Sequence, residues 1–373
     1  MGSPVKYQIG SFPPGDIDWE SLVSLIGSAN AALARYDGLL SAMPNAFVLL
    51  SPLMTQEAVL SSRIEGTQAT MGEVLEFEAD DKAEELPVEK RSDIEEILNY
   101  RRAMNHAENM LKELPICQRV VKAAHKVLMQ GVRGNKKTPG EYRRVSNWIG
   151  PPGCSIEDAR YIPISADKLP EGMSSWEKYV HSETRDRLVQ LAVLHAEFEA
   201  LHPFLDGNGR LGRMLIPLFM HNTGLISSPA FYVSAFFERN RDEYYDSLLK
   251  ISSDSDWTQW IAFFLEALVH QAEDNQKKAS SILALYEKNK VEFVSLLHSQ
   301  YSIQALDFMF RQPIFKSTHF VSNAGMPATT ARRLLSELRT GGALKTLYSA
   351  RGSRSAVYVF AELLNIAEGK DIF

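Results

Sequence analysis

The stretch from Leu201 to Met214, "LHPFLDGNGRLGRM", holds one histidine, one acid, three glycines and two arginines. Each residue type has a use in phosphate chemistry. His202 titrates near neutrality and can act as a general base. Asp206 offers the hard carboxylate oxygen that magnesium takes at phosphate sites. Gly207, Asn208 and Gly209 allow a positive φ and a close backbone approach to a ligand. A helix starting at about Asn208 would point its unpaired N–H groups into that loop, where an anion is favoured. Arg210 and Arg213 sit three apart, on neighbouring positions of one helix face, and two guanidinium groups there suit more than one phosphate. Base, metal ligand and phosphate cradle together fit attack of a hydroxyl on a nucleotide phosphate. Two other readings compete. A plain helix connection does not need this ordered set. A metal hydrolase built on His195, Glu199 and His202 leaves the glycines and arginines unexplained, and His195 reads better as a structural histidine.

A second stretch, "VLSSRIEGTQ" (Val59 to Gln68), ends a helix expected to start near Ser51-Pro52 and to stop at Gly66. Ser61 and Glu65 are then i,i+4 neighbours. Glu65 falls in the last turn, where the helix dipole disfavours an anion by roughly 0.3–1 kcal/mol, so a cation would stabilise it, either an external one or Arg63 of the same helix.

The elements that must hold these residues are mostly helices. Apolar residues recur at three- and four-residue spacing through "WESLVSLIGSANAALARYDGLL", "DIEEILNYRRAMNHAENMLKEL", "QRVVKAAHKVLMQGV", "RLVQLAVLHAEFEALHPF" and "GRLGRMLIPLFMHNTG". The same spacing runs through the stretch from Trp257 to Lys290. The acidic run Glu73 to Glu89 reads as a solvated connector. Thr138 to Ser165 breaks the helical pattern: "VSNWIG" and "ARYIPI" flank a Pro-Pro-Gly turn, which predicts an irregular hairpin or flap. Near the C-terminus, "VEFVSLLHSQ" and "QALDFMFRQ" look helical. "FKSTHFVSNAG" and "PATTARRLLSELRTGGALKTL" then read as helix, turn, helix, followed by two strands around a Gly-Ser turn. That order is a winged-helix pattern. Arg332, Arg333, Arg339, Lys345, Arg351 and Arg354 make the region locally basic, which suits DNA or a protein or dimer contact equally.

The chain has 373 residues, 45% of them hydrophobic and 23% charged, as in an ordinary globular protein. A net charge of −6 argues against a wholly basic nucleic-acid binder but leaves room for one basic domain. No apolar run is long enough to cross a bilayer, and the N-terminus lacks an apolar signal region. The two cysteines, Cys117 and Cys154, are too few for a disulfide framework or a cysteine zinc site. A cytoplasmic location without membrane contact is the expectation.

His202 to Arg213 matches in full the signature His-Pro-Phe-x-(Asp/Glu)-Gly-Asn-Gly-Arg-x-x-Arg, and on these residues the chain resembles the Fic family from about Pro13 to Leu268. The resemblance implies a mainly α fold. It would have an N-terminal helical region over 1–110, a Fic helical core with a β-hairpin flap over 111–270, and a linker helix with a winged helix-turn-helix over 271–373. It implies transfer of AMP from ATP to a Ser, Thr or Tyr hydroxyl of a target protein. His202 would deprotonate that hydroxyl and Asp206 would hold Mg²⁺ on the α- and β-phosphates. Gly207, Asn208, Gly209 and Arg210 would bind phosphate oxygens, and Arg213 the γ-phosphate. Tyr244 and Tyr245 resemble a tyrosine pair near the family's adenine pocket; core packing is their other role. The flap would align a target segment as an added edge strand. Ser61 to Gly66 matches the inhibitory motif (Ser/Thr)-x-x-x-Glu-(Gly/Asn), in which the glutamate, here Glu65, pairs with the second arginine, here Arg213, and leaves ATP bound unproductively. Members often form homodimers. Reversal of the transfer, or nucleotide sensing by a DNA-binding regulator, would use the same core.

Overall fold

The structure is a computed structural model that describes residues 3–79, 86–131, 137–151, 153–352 and 354–373. The middle of the acidic run, Pro152 of the Pro-Pro-Gly turn and Ser353 of the Gly-Ser turn lie outside them. The fold is mainly helical with small sheets, and it divides into two compact units. No helix among the described residues is long and apolar enough to cross a membrane.

The first unit comprises Met1–Asp37, Leu60–Thr67 and Leu98–Glu273. Its centre is the helix Arg187–Leu201, in which all but a few residues are buried. A helix apolar on every side has to be enclosed by others. It packs against Leu169–Val180 on one side and Asn208–Asn222 on another. Asp186 caps its start, its Oδ1 accepting the N–H groups of Leu188 (2.8 Å) and Val189 (2.9 Å). Two buried indoles bond to its backbone: Trp176 Nε1 to the Leu194 carbonyl (2.9 Å) and Trp260 Nε1 to the Ala192 carbonyl (2.8 Å). The Asn208–Asn222 helix contains Pro217, which lacks the N–H that would bond the Arg213 carbonyl.

The expected flap hairpin is reduced to one antiparallel bridge, Ile149 to Tyr161. Proline and glycine at its tip leave no length for a regular ladder. Its second arm instead forms a short parallel pair with an N-terminal strand, in the register Val5–Tyr161 and Lys6–Ile162.

The second unit comprises Gly38–Val59, Gln68–Ile97 and Asp274–Phe373. Here the acidic run proves not to be all connector. Met71–Ala79 is a helix that buries Met71, Val74 and Leu75, and Val88–Leu111 already includes Glu89. The i, i+3, i+4 apolar positions decide the first of these, and the acids occupy its outer face. "VEFVSLLHSQ" is not a separate helix either; it ends the single helix Trp257–Leu297. Beyond it come the helices Ser302–Arg311, Ser317–Asn323 and Ala328–Thr340. A three-stranded antiparallel sheet places Val357–Val359 between Ile314–Lys316 and Lys345–Tyr348. Phe308, Phe315 and Phe320 meet edge-on or stacked at its core.

Candidate active site

The loop between the two central helices is built by its neighbours. The Arg187–Leu201 helix ends at His202, which takes the left-handed conformation at φ 47. A non-glycine residue there is held against its preference, at a cost of order 1–3 kcal/mol. Arg143, buried at 2% exposure, holds it. Its Nε donates to the His202 carbonyl (2.9 Å), and its Nη2 to the carbonyls of Leu201 (3.2 Å) and Ile164. One buried cation thus caps the helix C-terminus, where a positive charge is favoured, and ties it to the flap's second arm. The Asn208 side chain closes the loop: its Oδ1 accepts the Phe204 N–H (2.8 Å) and its Nδ2 donates to the Phe204 carbonyl (2.9 Å). Phe204 stacks on His125 with centroids 3.7 Å apart. His125 takes the Gly140 N–H on Nδ1 (2.8 Å), so its Nε2 carries the proton and donates to the Asp206 carbonyl (3.0 Å). Gly207, at φ 76, then turns the chain into the Asn208–Asn222 helix.

Arg213 is 1% exposed in its side chain. Its Nε donates to Ser61 Oγ (3.0 Å), and its Nη2 to the Ser61 carbonyl (2.7 Å) and to Glu65 Oε1 (2.7 Å). Glu65 lies one residue past the end of the Ser51–Ile64 helix, not inside its last turn, and Gly66 at φ 104 follows it. The pair is asymmetric. The arginine is enclosed, whereas 34% of the glutamate side chain is exposed. Burial alone would raise the Glu65 carboxyl, but Arg213, with Arg210 and His202 behind it, outweighs that and holds it below its ordinary value. Arg213 is raised in turn: burial opposes its charge, and Glu65 more than compensates. Gly209 makes the contact sterically permissible, since a Cβ there would overlap Glu65 Oε1.

Glu65, Glu199, His202, Gly209, Arg213 and Tyr245 line one cavity of about 410 Å³, roofed by Ile149, Gly150, Pro151, Arg160 and Tyr161 of the flap. That volume is in the range of small-molecule sites. His202 Nδ1 faces the Glu199 carbonyl at 3.3 Å. A carbonyl only accepts, so Nδ1 holds the proton and Nε2 keeps its lone pair. Burial pushes the imidazole down to about 4, which keeps it neutral at pH 7. Asp206 stands on the other side of the loop with 42% of its side chain exposed. Its Oδ1 accepts the Gly207 N–H (2.6 Å) and lies 3.5 Å from Arg210 Nη2.

The expected residues therefore divide. Glu65, His202, Gly209, Arg213 and Tyr245 share the cavity. Arg210 is turned toward Asp206 and Met129. Asn208 spends its side chain on Phe204. Tyr244 is a core residue, stacked on Phe237 at 4.5 Å and bonded through its hydroxyl to His195 Nε2 (2.8 Å). His195 also meets the Gly212 carbonyl at 3.3 Å, so it is a satisfied structural histidine. Among the described residues no His, Cys, Asp and Glu side chains group to hold a metal, so the His195–Glu199–His202 hydrolase finds no support.

Sequence reasoning missed Arg143 and His125, and it weighed Glu199 only as a metal ligand. The first two act through backbone carbonyls, which leave no spacing to read. Glu199 had a signal, its i,i+3 relation to His202. Its Oε1 is buried without a hydrogen-bond partner, and burial pushes its carboxyl up to about 8. Gly212 makes room for it, because a Cβ there would overlap Glu199 Oε1.

The site is thus a cavity in a helical unit, lined by the neutral His202, the buried Arg213 and Gly209 from the start of the Asn208–Asn222 helix. The Fic/DOC family N-terminal model matches residues 23–109 and the Fic/DOC family model matches residues 115–220. The chain belongs to the Fic/DOC family. It is 25% identical over 130 residues to a protein adenylyltransferase Fic of Drosophila yakuba, covering 34% of this chain and 23% of that protein. It is 32% identical over 94 residues to a probable protein adenylyltransferase of Aquifex aeolicus, covering 25% of this chain and 27% of that protein. The chain thus spans about a quarter of the length of these relatives. A solved Fic family protein from Desulfovibrio desulfuricans G20 shares the fold, with a TM-score of 0.56, 20% identity and coverage of 95% of this chain and 98% of that one.

Proposed function

We propose that the protein is an autoinhibited protein adenylyltransferase. The observation that carries this reading is that Glu65 holds the same arginine that faces the cavity beside His202 and Gly209. In this reading ATP places its phosphates at the start of the Asn208–Asn222 helix. The first-turn N–H groups have no carbonyl one turn earlier, and they bind phosphate oxygens with Arg210 and Arg213. His202 Nε2 takes the proton of a target Ser, Thr or Tyr hydroxyl. The oxygen bonds to the α-phosphorus as the bond to the bridging oxygen breaks, and pyrophosphate leaves. Asp206 would hold Mg²⁺, since a half-exposed carboxylate beside the phosphate site suits an ion bound by one or two carboxylates plus phosphates; the ion would neutralise the leaving pyrophosphate. Glu65 occupies the place of the γ-phosphate on Arg213, so bound ATP lacks the partner that would align it. Tyr245 lies along the nucleotide, and Tyr244 supports it from behind.

The test labels with ATP carrying ³²P at the α or the γ position. Transfer of AMP puts only the α label on protein, and His202→Ala abolishes it. Protein labelled from the γ position, or full activity of His202→Ala, would contradict the reading. A pre-modified target separates transfer from removal of AMP by the same site.

A second reading concerns the second unit. Its elements follow the winged helix-turn-helix order, and the Ala328–Thr340 helix exposes Thr329, Arg332 and Arg339. That surface favours DNA as a further partner. Duplex binding that weakens steeply with salt supports it, and salt-independent or absent binding rejects it.

A further inference from the structure

Side chains hold the flap at its base, Arg143 Nη1 donating to the Val145 carbonyl (3.3 Å), Asn147 Nδ2 to the Phe204 carbonyl (3.3 Å) and Arg160 pairing with Asp246, but regular backbone pairing is sparse. Among the described residues of 144–160, its regular pairing is the single bridge at Ile149, with N–H to carbonyl distances of 2.9 Å from Ile149 to Tyr161 and 3.0 Å from Tyr161 to Ile149. An isolated bridge does not fix a segment in water. The other edge of Tyr161–Ile162 is taken by the N-terminal segment. The Val5 N–H donates to the Arg160 carbonyl (3.2 Å), and the Tyr7 N–H to the Ile162 carbonyl (2.9 Å).

The same N-terminal segment is tied to the body of the unit. Tyr7 reaches inward, and its hydroxyl donates to Glu197 Oε1 at 2.7 Å. Glu197 is 2% exposed and stands on the Arg187–Leu201 helix, the helix that ends at His202. A buried carboxyl needs such a partner. Gln8 Nε2 adds a bond to the Ser252 carbonyl (2.5 Å). Residues 3–10 bury no apolar side chain fully, and Ile9 is 65% exposed. Hydrophobic burial therefore does not account for the placement of this segment; the hydrogen bonds just named do.

We propose that residues 5–8 form a strap that holds the flap in register with the helix bearing His202, and that Tyr7 is a positioning residue for docking of the target segment. This rests on the adenylyltransferase reading. With both edges of Tyr161–Ile162 filled, the strand has no edge left for an incoming segment. The flap backbone open to a target is then that of the first arm, residues 144–149. Together with the bonds of Arg143 to Val145 and of Asn147 to Phe204, the strap sets where that arm sits relative to His202.

The experiment uses the full chain carrying Glu65→Gly, with Tyr7→Phe or Val5→Pro added. The first removes the phenol that bonds Glu197, and the second the N–H that bonds Arg160. Amide hydrogen exchange is followed at Ile149, Arg160 and Tyr161, and KM is measured for ATP and for a target protein first identified by labelling a cell lysate with the Glu65→Gly protein and α-³²P-ATP. The expected result is exchange at least tenfold faster at those amides in Val5→Pro. Target KM should rise at least fivefold in both variants, with KM for ATP and kcat within twofold. Unchanged exchange in Val5→Pro overturns the strap. Faster exchange with an unchanged target KM overturns its role in docking. A melting temperature near that of the parent in Tyr7→Phe shows that the KM effect is not unfolding. If no variant transfers AMP, the reading of function fails, while the exchange result still decides whether the strap holds the flap.

Discussion

Arg213 Nη2 lies 2.7 Å from Glu65 Oε1 across 148 residues of sequence, and the guanidinium makes two further bonds to Ser61. The three bonds use one edge of an arginine that is otherwise enclosed. A buried guanidinium without a counter-charge costs several kcal/mol, so Arg213 needs an anion at all times. Glu65 is one, and a phosphate would be another. Their competition is the physical content of the proposed brake.

Gly209→Ala tests whether the pair depends on the space left by that glycine. The added Cβ overlaps Glu65 Oε1, so the carboxylate must move from its place on Arg213, and the expected outcome is a weakened pair. Glu65 titrates below its ordinary value in the native protein because Arg213 outweighs burial. The pair is therefore intact above pH ~4.5 and is lost as pH falls through the depressed value. In Gly209→Ala the Glu65 carboxyl, followed by carbon NMR, should titrate at or above 4.5. An unchanged midpoint would show that the pair persists without the glycine.

Ser61→Ala removes the bond from Arg213 Nε to Ser61 Oγ but keeps the carbonyl bond and Glu65. A hydrogen bond to a charged group contributes roughly 1.5–3 kcal/mol, part of which water or phosphate replaces. Self-labelling should rise about threefold to tenfold, short of the rise in Glu65→Gly. Equal release in the two variants would mean that the serine, not the acid, is the brake.

Glu199 gives a pH signature. Burial raises its carboxyl to about 8 from 4.5, so the folded state keeps a proton that the unfolded chain releases. Native stability contributed by this group is complete below pH ~4.5 and lost as pH rises toward 8. Glu199→Gln keeps the shape and removes the titration. Its melting temperature should gain on the parent from pH 5 to pH 8, by a difference of order 1–3 kcal/mol, and then stay level. Parallel melting curves across that range would place an ionised carboxylate at 199.

Much of the site was legible because its chemistry sits in one ordered run. The switch from helix to glycine loop to helix, with His202 at one end and Arg213 a turn past the other, follows from residue types and spacing alone. The contact of Glu65 with Arg213 was legible only through family resemblance, since a dipole argument at a helix end names no partner. Other features left little trace. The Val5–Lys6 strand is two residues long, too short for alternation to show, and its partner pairs by backbone. Composition hid the Met71–Ala79 helix, whose acids outvote three buried apolar positions. Tyr244 and Tyr245 are adjacent in sequence, yet one is core and the other faces the cavity. Only the packing of Phe237 and His195 against Tyr244 decides which.

The most direct test of the brake is self-labelling from α-³²P-ATP by Glu65→Gly beside the native protein, with Glu65→Gly/Arg213→Ala as the third arm. Freeing Arg213 from Glu65 should raise labelling at least tenfold, and removing Arg213 as well should return it to the native level or below. Labelling of Glu65→Gly equal to that of the native protein, or a double variant as active as Glu65→Gly, would contradict the account.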